Sequence, residues 1–294
     1  MKNTLRSLIA VGLVLAISLL VGCSSRTSEA LKKTQSPSDP LMTEAKISKQ
    51  LIEQQTDKSL LVMPVTTDSD RALSRFEMAR KYRHDFTNLS QSFELLKQAI
   101  ALDPEFALAW VYLSMHYGTM GNTDGEKNAM EQAQKYAGKV SKGERMFIAA
   151  MMQGPSSAEI WQSLEQMYPD DKYIHLILGY IYKNSLHDYV AALGQFQKSL
   201  ALDGTLGNAY NMIGYTYIAM DQYVKAEEAF KTYMELFPAS GNPYDSMGDL
   251  YLKLGRYDEA ISLFEKACSV EPAFTWSAEK AHQARELRDK GANR

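Results

Sequence analysis

Residues 207–240 and 241–274 are two consecutive segments of 34 residues that carry the same side chains at the same places. Both open on Gly-Asn. Tyr210 aligns with Tyr244, Gly214 with Gly248, Tyr217 with Tyr251, Tyr223 with Tyr257, Ala226 with Ala260, Phe230 with Phe264 and Pro238 with Pro272. A period of this length constrains the fold more than composition does, because it is the length of one supersecondary unit that stacks on copies of itself. Within each unit, positions 4, 7, 8 and 11 form one stripe of a helix, and positions 20, 24 and 27 form one stripe of a second helix. Small residues at 8 and 20 let the two helices approach closely, and the aromatics fill the space beside them. Proline at position 32 ends the second helix, since it has no N–H to donate and clashes with the preceding turn.

The spacing resembles the tetratricopeptide repeat. It continues towards the N-terminus with small phase slips. One unit has Leu178-Gly179, Tyr182, Ala192, Phe196 and Ser199. Another has Trp110, Leu113, Ser114, Tyr117, Ala129, Ala133 and Tyr136. The first has Met78-Ala79, Tyr82, Ser92, Leu96, Ala99 and Pro104. A degenerate unit lies between Ser141 and Asp171, with helices expected over 144–153 and 157–168. The resemblance implies an all-α fold, a right-handed α-α superhelix of about six helical pairs over 67–274. A polar capping helix over 275–291 would turn Trp276, Ala281, Ala284 and Leu287 inward.

The N-terminus reads differently. Lys2 and Arg6 precede an almost unbroken apolar run, Leu8 to Val21, which is shorter than the roughly 20 residues of a membrane-spanning helix. It ends Leu20-Val21-Gly22-Cys23, which resembles a bacterial lipoprotein leader. The expected organisation is therefore a signal peptide over 1–22, an acylated (palmitate-bearing) Cys23 with a tether over 23–66 that is rich in Ser, Thr, Lys and Pro from Ser24 to Pro40, and the array with its cap over 67–294. Residues 41–56 have the spacing of a short helix, and 60–65 read as extended chain. Ser24 after the cysteine, by resemblance, implies sorting to the outer membrane, with the array facing the periplasm.

Other chemistry is weakly signalled. A formal charge of −3 excludes the basic excess of a general nucleic-acid binder, and two cysteines cannot build a disulfide framework. His84, His116, His175, His187 and His282 form no close metal-ligand motif and read as partly exposed helix and turn residues. The segment Gly118 to Gly125, GTMGNTDG, lacks the Lys-Ser/Thr of a phosphate loop and has Met120 where a calcium loop needs a carboxylate, so it reads as an inter-helix turn. Cys268 reads as a largely buried thiol, and the acids as solvated helix faces. No metal or other cofactor is expected.

By the resemblance, positions 2, 5, 9 and 12 of each first helix line a concave groove. Those positions include Val111, Met115, Tyr173, Tyr180, Asn208, Asn211, Tyr215, Asn242, Asp245 and Asp249. Tyrosine and methionine suit binding surfaces, and asparagine can hydrogen-bond an extended peptide. The two aspartates imply a basic or neutral ligand near the C-terminal end. The reading is a non-catalytic adaptor or scaffold of the bacterial envelope. It would bind an envelope protein or peptide segment through the groove and the lipid bilayer through Cys23. The alternatives are a self-associating structural protein or an enzyme with its site in the groove.

Overall fold

The computed structural model describes residues 61–292 apart from Phe86, Ala273 and Phe274. The leader, Cys23, the tether and the expected helix over 41–56 lie outside the described residues. All described residues fall in one compact unit, Asp57–Arg294. Among them there are thirteen α-helices and no strand: α1 Asp70–Asp85, α2 Leu89–Leu102, α3 Ala107–Thr119, α4 Thr123–Tyr136, α5 Lys142–Gln153, α6 Ala158–Met167, α7 Lys172–Asn184, α8 Tyr189–Leu202, α9 Gly207–Ala219, α10 Tyr223–Leu236, α11 Asn242–Lys253, α12 Tyr257–Val270 and α13 Thr275–Ala292. They pair in order as six antiparallel hairpins, each packed on the next, with α13 against α12. None of them is long and apolar enough to cross a membrane.

Each hairpin turns on one residue with positive φ: Asn88, Gly121, Gly154, His187, Asp221 and Gly255, at 48° to 72°. A left-handed residue lets the chain reverse within a few residues, which is why Gly, Asn and Asp dominate these places. The GTMGNTDG segment is such a turn. Gly121 supplies the left-handed step, and the Asn122 side chain caps α4 by accepting from the Gly125 N–H at 2.9 Å.

The close helix contact sits where the repeat places glycine. A Cβ at Gly248 would lie 2.6 Å from Phe264 Cε1, and Gly179 and Gly214 face Phe196 and Phe230 in the same way. Those three phenylalanines are fully buried. The aromatic at position 4 has a second task. Trp110 donates to the Pro104 carbonyl at 2.9 Å, Tyr244 to Pro238 at 3.1 Å and Tyr210 to Gly204 at 3.4 Å, so each ring ties the loop before its helix. The position 11 tyrosines are half-buried rather than enclosed.

Two features depart from a simple stack. First, residues 61–67 are extended and lie against the array. The Asp170 N–H donates to Leu61 O at 3.0 Å, and the Met63 N–H donates to Asp171 Oδ2 at 3.2 Å. Thr66 donates from its N–H and its hydroxyl to Glu144 at 2.8 and 2.5 Å, and the Thr67 hydroxyl donates to Asp103 at 2.5 Å. Met63 is buried. Second, the end of α1 reaches hairpins four and five. His84 stacks on Tyr173 at 4.4 Å, the Arg80 guanidinium lies 4.3 Å from the Tyr173 ring, and Tyr233 donates to the Asp85 carbonyl at 3.2 Å. The Asp85 carboxylate accepts from Lys81 Nζ through Oδ2 at 2.5 Å, and its Oδ1 is buried without a hydrogen-bond partner among the described residues.

These packings correct four expectations. Trp276 and Leu287 point outwards, 44% and 36% exposed, while Ser277, Ala281 and Ala284 take the inward positions of α13. Cys268 is half-buried. His84, His116 and His175 are buried, because each has a satisfying partner: the Tyr112 hydroxyl at 3.1 Å, the Ser92 hydroxyl at 2.8 Å, and for His175 both Gln195 Oε1 and the Pro169 carbonyl. Likewise Asp85, Glu144, Asp171 and Asp245 are buried, each holding donors.

The buried histidines predict acid sensitivity. Burial, aided by Arg83, pushes His116 down to about 3, and burial beside Arg83 and Arg80 pulls His84 well below its ordinary value. Both rings stay neutral in the fold and take protons when it opens. Their contribution is complete above the unfolded value of about 6.5 and is lost as pH falls towards the folded value, at about 1.4 kcal/mol per unit for each histidine. Urea midpoints are expected to drop between pH 7 and pH 4.5, with a shallower drop in His116→Gln; equal slopes would refute the assignment.

Candidate binding groove

The expected groove residues come together on the first helices of hairpins two, four, five and six, but the chain itself occupies most of them. Val111 is fully buried on α3, and the Met115 carbonyl accepts from Arg83 at 3.3 Å. Tyr173 lies beneath His84 and Arg80 of α1. The Tyr180 hydroxyl donates to Asn208 Oδ1 at 2.8 Å, and burial pushes that phenol up to about 12. Asn211 donates to Asn242 Oδ1 at 3.1 Å, which also accepts from Tyr233.

At the C-terminal end, Lys280 of α13 inserts between the two aspartates. Its Nζ lies 2.8 Å from Asp245 Oδ2 and 2.9 Å from Asp249 Oδ2. Ser277 also donates to Asp245, at 2.6 Å, and Tyr215 to Asp249, at 2.8 Å. Burial raises the Asp249 carboxyl, with Lys280 opposing it, and burial next to Asp249 raises the Tyr215 phenol well above its ordinary value. The negative charge expected to select a basic ligand is thus neutralised from within.

The surface stays open where α5 and α7 finish, beside Trp161 of α6. A cavity of about 240 Å³ there is lined by Met151, Trp161, Ile177, Tyr180, Ile181 and Asn184, among others. Arg83 and Lys183, both at position 12 of their repeats, are half-buried. The repeat register marks position 12 as concave, so the signal was present in the sequence, yet neither residue stands among the groove residues named from it.

Residues 206–270 match the tetratricopeptide repeat family. Among solved structures the chain is similar to the crystal structure of the APC/C hetero-tetramer Cut9-Hcn1, at 18% identity and a TM-score of 0.48 over 73% of this chain and 43% of that one. The chain therefore spans less than half the length of that relative. It is also similar to TTC0263, a thermophilic TPR protein of Thermus thermophilus, at 14% identity and TM-score 0.44 over 72% and 98%. A third similarity is to MamA, at 20% identity and TM-score 0.37 over 69% and 93%. No curated protein matches.

Over residues 206–270 the family match and the hairpin register agree on a tetratricopeptide-repeat array.

Proposed function

We propose that this chain is a non-catalytic adaptor of the bacterial envelope, anchored by lipid on Cys23 at the outer membrane with its array facing the periplasm. It recruits another envelope protein by binding one of its segments in the concave groove. The observation that carries the reading is the continuous series of six hairpins, whose first helices bring Tyr180, Asn208, Asn211 and Tyr215 onto one face. The basic, apolar and cysteine elements of the leader, followed by Ser24, support the anchor and its address. Specificity then comes from the groove, and the anchor raises the local concentration of whatever the groove holds.

Cys23→Ser is expected to abolish incorporation of labelled palmitate, and a variant that still carries label would refute the anchor. Affinity capture from solubilised envelopes, with the full chain as bait beside a folded Tyr180→Ala/Tyr215→Ala variant, tests the groove. A protein retained by the parent chain alone is the expected result. Equal retention by both would move the interface to the convex face or the tether.

A further inference from the structure

The prolines at position 32 do more than end a second helix. Pro238 and Pro272 turn the chain after α10 and α12, and the two junctions they make line one cleft. The turn of the first hairpin, residues 81–88, supplies the third wall, because α1 reaches back to α9 and α10. The cleft has a volume of about 490 Å³. It is built from loops and helix ends, and none of the residues named for the concave groove lines it.

Its charges do not balance. Lys81, Asp85 and Glu271 all line it. Asp85 is 2% exposed; Lys81 reaches its Oδ2, and its Oδ1 has no hydrogen-bond partner among the described residues. Glu271 accepts from the Gly241 N–H at 3.0 Å through Oε2 and has no ion pair among the described residues. The two carboxylates bear on one phenol: burial first, then Asp85, Tyr180 and Glu271, push Tyr233 well above its ordinary value. Among the described residues one ammonium therefore faces two carboxylates in the cleft, and one negative charge is left over. A buried carboxylate oxygen without a donor is unfavourable, more so than a neutral group. Burial raises the Asp85 carboxyl, with Lys81 and the Gly207 N–H opposing it.

The other walls are largely apolar, with Leu236, Phe237 and Val270 among them. Leu236 is 40% exposed there, with no side chain covering it fully. A hydrocarbon wall leading to an acidic end suits a group with an apolar stem and a cationic head. Lys81 shows that chemistry in place. Its side chain is 59% exposed, yet its ammonium sits on Asp85. A long, solvated side chain holds such a contact weakly, so an incoming amine can displace it.

We propose that this cleft binds a primary ammonium on an unbranched apolar stem, held by Asp85 and Glu271. A lysine side chain of a protein segment and a free aliphatic diamine share that chemistry. Lys81 is the internal stand-in that the ligand displaces. The site goes beyond the groove reading and does not depend on it.

The test is a saturation-transfer NMR titration of the full chain in detergent. The probes are Nα-acetyl-lysine amide, Nα-acetyl-norleucine amide, which has the same stem without the ammonium, and cadaverine. The norleucine amide is expected to bind at least about tenfold more weakly than the lysine amide, as loss of a charged hydrogen-bonding group implies. Asp85→Asn should weaken the lysine amide by a similar factor, and Glu271→Gln, which keeps an acceptor for the Gly241 N–H, by less. Lys81→Met should do the opposite and tighten binding about threefold, because the competing ammonium is gone. A purely structural Lys81–Asp85 pair gives no such gain. Lys81 is exposed, so its variant is expected to fold, and it decides the matter if Asp85→Asn does not fold. Tighter binding of the lysine amide than of cadaverine assigns the site to a lysine side chain, and the reverse order to a free diamine. No saturation transfer to either amine, equal binding of the norleucine amide, unchanged binding in a folded Asp85→Asn, or unchanged or weaker binding in Lys81→Met would each overturn the site. The adaptor reading fails separately, through envelope capture that ignores Tyr180 and Tyr215.

Discussion

Gly248→Leu is expected to open the last hairpin and lower its stability by about 3 kcal/mol, the upper end of what overpacking a close contact brings. The reason is geometric. Even a Cβ at this place would lie 2.6, 2.7 and 3.0 Å from three atoms of the Phe264 ring. Phe264 is fully buried, and it packs in one cluster with Ala260 and Ile261 of its own helix and with Ala281 and Ala284 of α13, so the ring has nowhere to move. Gly248→Ala should show a smaller loss of the same kind. The thermal midpoint of the C-terminal hairpin is expected to fall by roughly 6–12 °C in the leucine variant, with the N-terminal hairpins less affected because a solenoid transmits strain mainly to neighbours. An unchanged midpoint would mean that the helix register is wrong.

Glu144→Ala is expected to be equally severe in the third hairpin. The Glu144 side chain is fully buried and accepts three hydrogen bonds, from the Ser141 N–H at 3.0 Å and from the N–H and hydroxyl of Thr66. The first belongs to a capping box, because the Ser141 hydroxyl accepts in turn from the Glu144 N–H at 3.2 Å. Removing the carboxylate leaves these donors without an acceptor, a loss of about 3 kcal/mol or more. The Met63 and Thr66 amides should then lose protection from hydrogen exchange as the extended segment detaches, while Thr66→Val should release the segment but keep the α5 cap. Full retention of amide protection in Glu144→Ala would refute the tie between segment and array.

The hairpins were legible because their information is local. Gly248 and Phe264, or Gly179 and Phe196, lie close enough in sequence for a 34-residue period to expose them, and helix ends carry their own signals in Pro, Gly and Asn. The extended segment was not legible in the same way. Seven residues have no helical period, and the partners of Thr66 and Met63 lie 78 and 108 residues away. The residues named for the groove fall on first helices, but a repeat register describes each hairpin as if only its neighbours mattered. It could not show that α1 would cover Tyr173, or that Lys280 would fill the space between Asp245 and Asp249. The expectation for Trp276 and Leu287 failed similarly, since α13 has one neighbouring hairpin and its inward stripe is chosen by that contact rather than by hydrophobicity.

The sequence by itself therefore determined the all-α class, the number of hairpins, their turns and the capping helix. Periodic apolar and small residues dictate those through contacts within one hairpin or between adjacent ones. Only the tertiary structure decided which concave residues are covered and which charges are neutralised. Those outcomes depend on how the array curves back on its own first helix. That curvature is a sum of small rotations between hairpins, and no single residue encodes it.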